Sequence, residues 1–108
     1  MKEVYKKWFC FKNNDYGIVY SDDVPEEIND KHFYFIGSKK NTWQIVFLCP
    51  CGCKARIQLN LIKGEDPCWK YKISKKRGVS ISPSIWRIIG CRSHFVVRNS
   101  KIIWFEND

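Results

Sequence analysis

A small, mainly β domain, built as an antiparallel sandwich or a partly open barrel, is the fold class that this sequence predicts. Three observations predict it. Aromatic residues are abundant, with seven Phe, five Trp and five Tyr among 108 residues, and such side chains suit pleated, half-buried surfaces. Apolar and polar residues alternate with a period of two in several short runs. Turn-forming residues separate those runs at regular spacing, which favours packed sheets over parallel βαβ units. The length suits one core, so residues 1–108 are expected to form a single domain.

The elements follow in order. Residues 21–31 are acidic and turn-rich, and Pro25 followed by Glu26 and Glu27 suits a single helical turn, with proline at the first position and acids near the positive end. Strands are expected from residue 32 onward. Phe33–Ile36 is an apolar run stopped by Gly37, and Trp43–Leu48 is a second that enters a cysteine-rich segment. Ala55, Ile57, Leu59 and Leu61 alternate with Arg56, Gln58 and Asn60. Trp69, Tyr71 and Ile73 alternate with Lys70 and Lys72, and Val79 and Ile81 repeat the pattern until Pro83 ends it. His94–Arg98 and Lys101–Phe105 flank Asn99-Ser100, a tight-hairpin signal.

Met1–Lys7 carries no apolar signal core, and no stretch has the length of a membrane span, so a cytoplasmic location with no membrane partner is expected. That compartment is reducing, and the six cysteines then point to metal binding or catalysis rather than disulfides. The formal charge of +8 fits nucleic acid, an acidic surface or an acidic protein, and equally a solvated exterior. Lys70, Lys72, Lys75, Lys76 and Arg77 form the densest basic stretch and supply the alternative function, a non-enzymatic zinc-binding β module that docks nucleic acid or, in a further reading, a partner protein from the same operon.

Cys49-Pro50-Cys51-Gly52-Cys53 places three thiols within five residues. In an extended segment residues two apart share a face, so these thiols can converge on one ion while Gly52 turns the backbone. Zinc takes four sulfur or nitrogen ligands in tetrahedral geometry. Cys91-Arg92-Ser93-His94 offers what is missing: Cys91 as the fourth ligand of an all-thiolate site with Cys49, Cys51 and Cys53, or a mixed site that drops one knuckle cysteine and recruits His94. Buried reduced cysteines are the competing reading, and they rarely cluster in this way. Four protein ligands leave no place for an activated water, so the metal would be structural. Cys10 and Cys68 have no thiol or imidazole nearby in sequence and are expected in the core.

Ser80, Ser82 and Ser84 surround Pro83, which fixes its own dihedral and extends the residue before it. A nucleophilic serine needs a base, and His94 lies ten residues beyond Ser84. Serines beside proline also make ordinary turns, so spacing alone leaves both roles open.

Taken in order, Cys49-Pro50-Cys51-Gly52-Cys53, Ser82-Pro83-Ser84 and Gly90-Cys91-Arg92-Ser93-His94-Phe95 resemble a small bacterial zinc-knuckle family of uncharacterised domains found beside ubiquitin-like proteins and their activating and conjugating enzymes. The resemblance covers roughly residues 32–105. Val24-Pro25-Glu26-Glu27 and Ile102-Ile103-Trp104 are also similar to the family pattern. It implies a peptidase that trims or removes a ubiquitin-like modifier, with that modifier, its conjugates and the pathway enzymes as partners and antiphage defence as the setting. It further implies that Cys49, Cys51, Cys53 and Cys91 hold Zn2+, while Ser84 and His94 perform acyl transfer. Lys54 departs from the glycine that usually follows the knuckle. No acidic third member stands out among Glu65, Asp66 and Glu106.

Overall fold

The computed structural model of the protein describes residues 16–38, 40–88 and 90–105, together with the backbone of residues 5 and 6. Cys10 and Glu106 lie outside the described residues. The described chain is all β. A five-stranded sheet has the order β1 (Tyr5–Lys6), β2 (Gly17–Ser21), β3 (His32–Gly37), β4 (Thr42–Leu48), β5 (Arg56–Asn60). A four-stranded sheet has the order β6 (Lys70–Ser74), β7 (Gly78–Trp86), β8 (His94–Arg98), β9 (Lys101–Trp104). The two sheets pack face to face, and neither closes into a barrel.

The core between them follows from the pleat, because alternate residues of each strand point inward. Ile18, Phe33, Phe35, Ile45, Phe47, Ile57 and Leu59 meet Val79, Ile81, Ile85, Phe95 and Val97. Edge-on rings tie the layers together. Phe33 lies 4.9 Å from Phe47, Phe47 lies 6.2 Å from Phe95, and Phe35 lies 5.0 Å from Tyr71 across the sandwich.

Three local expectations are corrected. No helical turn forms at Pro25. Residues 22–31 instead cross between β2 and β3, which pair in parallel, and place Val24 and Ile28 over Val19, Tyr34, Ile36 and Val46 on the outer face of the sheet. The apolar pair is thus used to cover a sheet, which a single helical turn would not do better. Pro83 does not end its strand, since β7 runs on to Trp86. Proline is tolerated there because it sits in a bulge, where no ladder donor is required. Cys68 is half-buried rather than in the core, and its thiol faces the Trp69 carbonyl.

The hairpin at Asn99-Ser100 forms as expected. Both residues have positive φ, 55° and 61°, the pattern of a two-residue turn matched to strand twist. Ser100 is fully buried and ties three segments together. Its hydroxyl accepts from the Val79 amide at 3.0 Å, its amide donates to the Val79 carbonyl at 2.7 Å, and its carbonyl accepts from the Tyr16 amide at 2.9 Å. Ser100→Ala leaves the buried Val79 N–H without that acceptor, and is expected to lower stability by about 1–3 kcal/mol in denaturant titration. A loss within 0.3 kcal/mol of zero, on the order of surface substitutions, would contradict this role.

Candidate active site and cysteine cluster

The site is assembled where β7 and β8 pair. Ile81 faces Val97 and Ile85 faces Phe95, so residues 82–84 of β7 stand against Val96 alone. This bulge holds Ser82, Pro83 and Ser84, and bulges re-aim side chains beside functional sites. Beyond it Trp86 faces His94 directly. Ser84, Trp86 and His94 share the face opposite Ile85 and Phe95, which are buried in the core.

The outcome is a direct contact: Ser84 Oγ lies 3.1 Å from His94 Nε2. The imidazole is held between two rings. Trp86 stacks on it at 4.9 Å and 16°, and Phe105 covers the other side at 4.4 Å and 32°. The Phe105 amide also donates to the His94 carbonyl at 2.9 Å. No carboxylate hydrogen-bonds or ion-pairs with His94 among the described residues, Glu65 and Asp66 included. Ring packing is therefore what orients the imidazole there.

The other two serines have different surroundings. Ser80 Oγ accepts from the Asn99 amide at 3.0 Å, which makes it part of the β8–β9 turn. Ser82 is exposed and faces Lys70 in the β6–β7 ladder.

Next to this pair the thiols converge. Sγ atoms of Cys49, Cys51, Cys53 and Cys91 all lie within 4.8 Å of one another. Cys49 is 3.5 Å from both Cys51 and Cys91. Tetrahedral thiolate coordination with bonds of about 2.3 Å has sulfur–sulfur edges of roughly 3.8 Å, so these four could hold one metal ion. His94 lies instead against Ser84 and its two flanking rings. Gly52, at φ 97°, turns the knuckle as expected. Lys54 adopts φ 66°, a left-handed conformation that glycine takes without a Cβ penalty.

Polar groups around the sulfurs favour thiolates at the rim. A hydrogen bond from the Ser93 hydroxyl, 3.1 Å away, and one from the Ser93 backbone bring the Cys91 thiol down to about 6. The Cys53 amide lowers Cys51. Burial pushes Cys49 up to about 11. Arg87 adds positive charge, with one guanidinium nitrogen 3.4 Å from Cys91 Sγ and 3.6 Å from Cys53 Sγ. Its amide donates to the Ser93 carbonyl at 2.8 Å. Neither Arg87 nor Ser93 was expected from sequence. Ser93 had a faint signal, a hydroxyl two residues after Cys91; Arg87 had none.

The basic stretch has a different character. Lys70 and Lys72 are exposed on β6, but Tyr71 between them packs edge-on against Phe35. The ribbon thus presents charge without a free aromatic for base stacking.

Residues 20–105 match the family described as "Bacterial ubiquitination-like system serine protease (BubE)". The chain belongs to that family. The BubE match begins at Tyr20, so the end of β2 and the covering excursion fall within it, ahead of the motif-bearing segment. No curated protein and no solved structure matches the chain. No helix among the described residues is long and apolar enough to cross a membrane.

Proposed function

We propose that this protein is a cytoplasmic serine peptidase that processes or deconjugates a ubiquitin-like modifier, with a structural zinc ion held by Cys49, Cys51, Cys53 and Cys91. The 3.1 Å contact between Ser84 Oγ and His94 Nε2 carries this reading, and the family's description as a serine protease supports it. Ser84 Oγ attacks the scissile carbonyl carbon while its proton passes to His94 Nε2. Backbone amides at the β7 bulge stabilise the oxyanion. As the carbon–nitrogen bond breaks, His94 returns the proton to the departing amine. Water then attacks the acyl-enzyme, giving its proton to His94, and Ser84 leaves as the restored hydroxyl.

Zinc supplies a cross-link, since four thiolates leave no position for water. The residues around it do the positioning: Cys91 lies three residues before His94, and Arg87 directly follows Trp86. A fluorophosphonate, which phosphonylates activated serines with loss of fluoride, is expected to modify Ser84 in the folded, metal-loaded chain. Peptide mass mapping that finds the label on Ser82, or finds none, would contradict the assignment.

A further inference from the structure

Beside Ser84 the two sheets leave a cleft. It has a volume of about 340 Å³ and lies between the β5 edge and the far end of β7. Leu59, Trp69 and Ile85 line its interior, Trp86 and Ile88 one wall, and Arg56 and Arg87 its rim. The strands diverge from a fixed end, where the Trp69 amide donates to the Asn60 carbonyl at 2.8 Å.

Backbone alternation shows which groups face this space. The Leu61 amide bonds to the Trp43 carbonyl and the Cys49 amide to the Ala55 carbonyl. Residues 57 and 59 therefore bond to β4, while the backbone of Arg56 and Gln58 points outward. On β7 the Arg87 amide bonds to the Ser93 carbonyl. Ile85 then bonds to β8, and the backbone of Ser84 and Trp86 faces the opposite side. The Ser84 carbonyl confirms the direction, since Trp69 Nε1 donates to it from that side at 3.4 Å. The first residue of β6 is Lys70, which faces Ser82, so β6 covers none of this stretch.

We propose that this cleft binds the substrate tail as an extended strand laid between the outward edges of β7, at Trp86, and of β5, at Arg56 and Gln58, with an apolar side chain turned towards Leu59, Trp69 and Ile85. The inference rests on the peptidase reading above and deepens it. An added strand lies about 4.8 Å from β7, which brings its carbonyls beside the hydroxyl of Ser84. Shape selects an unfolded, extended segment, and charge selects its sign. No carboxylate among the described residues lines the cleft, two arginines rim it, and the chain carries a formal +8. The occupant is thus a tail in which apolar and acidic residues alternate.

The test is an amide-shift titration of the isotope-labelled, metal-loaded full chain with an acetylated pentapeptide that alternates aspartate and leucine. Shifts are expected at Arg56–Gln58, Trp86–Ile88 and the Trp69 indole. Gln58→Pro removes an outward N–H without touching the β4 ladder, and Ile88→Asp places a negative charge on an exposed wall residue. Each is expected to weaken the peptide about tenfold, the loss of roughly one hydrogen bond or apolar contact. Fluorophosphonate labelling of Ser84, which needs no tail, should proceed unchanged in both variants. Saturation without shifts at these residues, or unchanged affinity in both variants, overturns the cleft. Absence of labelling in the unmodified chain overturns the peptidase reading instead, and the titration still decides the cleft.

Discussion

Ser84→Ala is expected to lose cleavage of a modifier precursor by on the order of 10⁴–10⁶-fold, while fold and metal content stay unchanged. The hydroxyl alone is removed. Ser84 is half-buried on the outer face of the sheet, and its carbonyl keeps the Trp69 contact. No other serine can take over. Ser80 serves the hairpin turn, and Ser82 is exposed on the far side of Pro83. His94→Ala is expected to be as inactive, because nucleophile and base act as a unit and losing either forfeits most of the joint effect. It should also retain metal, since the four sulfurs cluster without the imidazole. Ser82→Ala is the control and should cleave within a few-fold of the unmodified protein. Assays of all three with one precursor decide the matter: a folded Ser84→Ala protein that still cleaves would remove the serine mechanism, and loss of metal from His94→Ala would make the imidazole a ligand.

Some of this was legible locally and some was not. Asn99-Ser100 announced its hairpin because Asn99 tolerates the left-handed region by local chemistry, while Ser100 is held in the same region by its bonds to Val79. The cysteine cluster was legible from its density, but the extended segment expected of it is a turn. Residues 50–53 fold back, the Gly52 amide donates to the Cys49 carbonyl at 3.2 Å, and that turn rather than strand alternation gathers the thiols. β2 was missed because Gly17–Ser21 has no alternation. Residues 17–19 are all buried, and the outer face is covered by Val24 and Ile28, a contact that only the tertiary structure creates. A local rule ends the strand at Pro83, but the decisive fact is the partner strand. β8 offers only Val96 against residues 82–84, and that mismatch makes the bulge. The Ser84–His94 pair stood in between. Ten residues of separation allowed contact, yet the bulge and the Trp86 stack were needed to produce it. Arg87 was beyond sequence reading, because its partners are 34 residues before it and four after it and meet only when the two sheets pack.

Removal of the metal is expected to unfold or aggregate the protein, and Cys51→Ser is expected to do the same. Structural zinc in small domains contributes roughly 10–16 kcal/mol of apparent binding energy, against a net stability of about 5–15 kcal/mol for a whole domain. The placement of the ligands explains why the loss would be global. Cys49 follows β4 in one sheet, while Cys91 precedes β8 in the other and is 42 residues distant in sequence. A shared ion would close that loop and pin the sheets together at the end that carries His94. Without it, buried Cys49 would lose that partner, and Cys51 and Cys91, exposed and held towards the thiolate form, would be open to oxidation. Cys68→Ser is the internal control, because Cys68 lies outside the cluster and should change neither metal content nor folding cooperativity. Elemental analysis with circular dichroism tests all three proteins together. About one zinc per folded chain, lost with structure on chelation or in Cys51→Ser and kept in Cys68→Ser, is the expected result. Folded, soluble protein with less than about a tenth of a zinc per chain would show that the four sulfurs hold the sheets together without a metal.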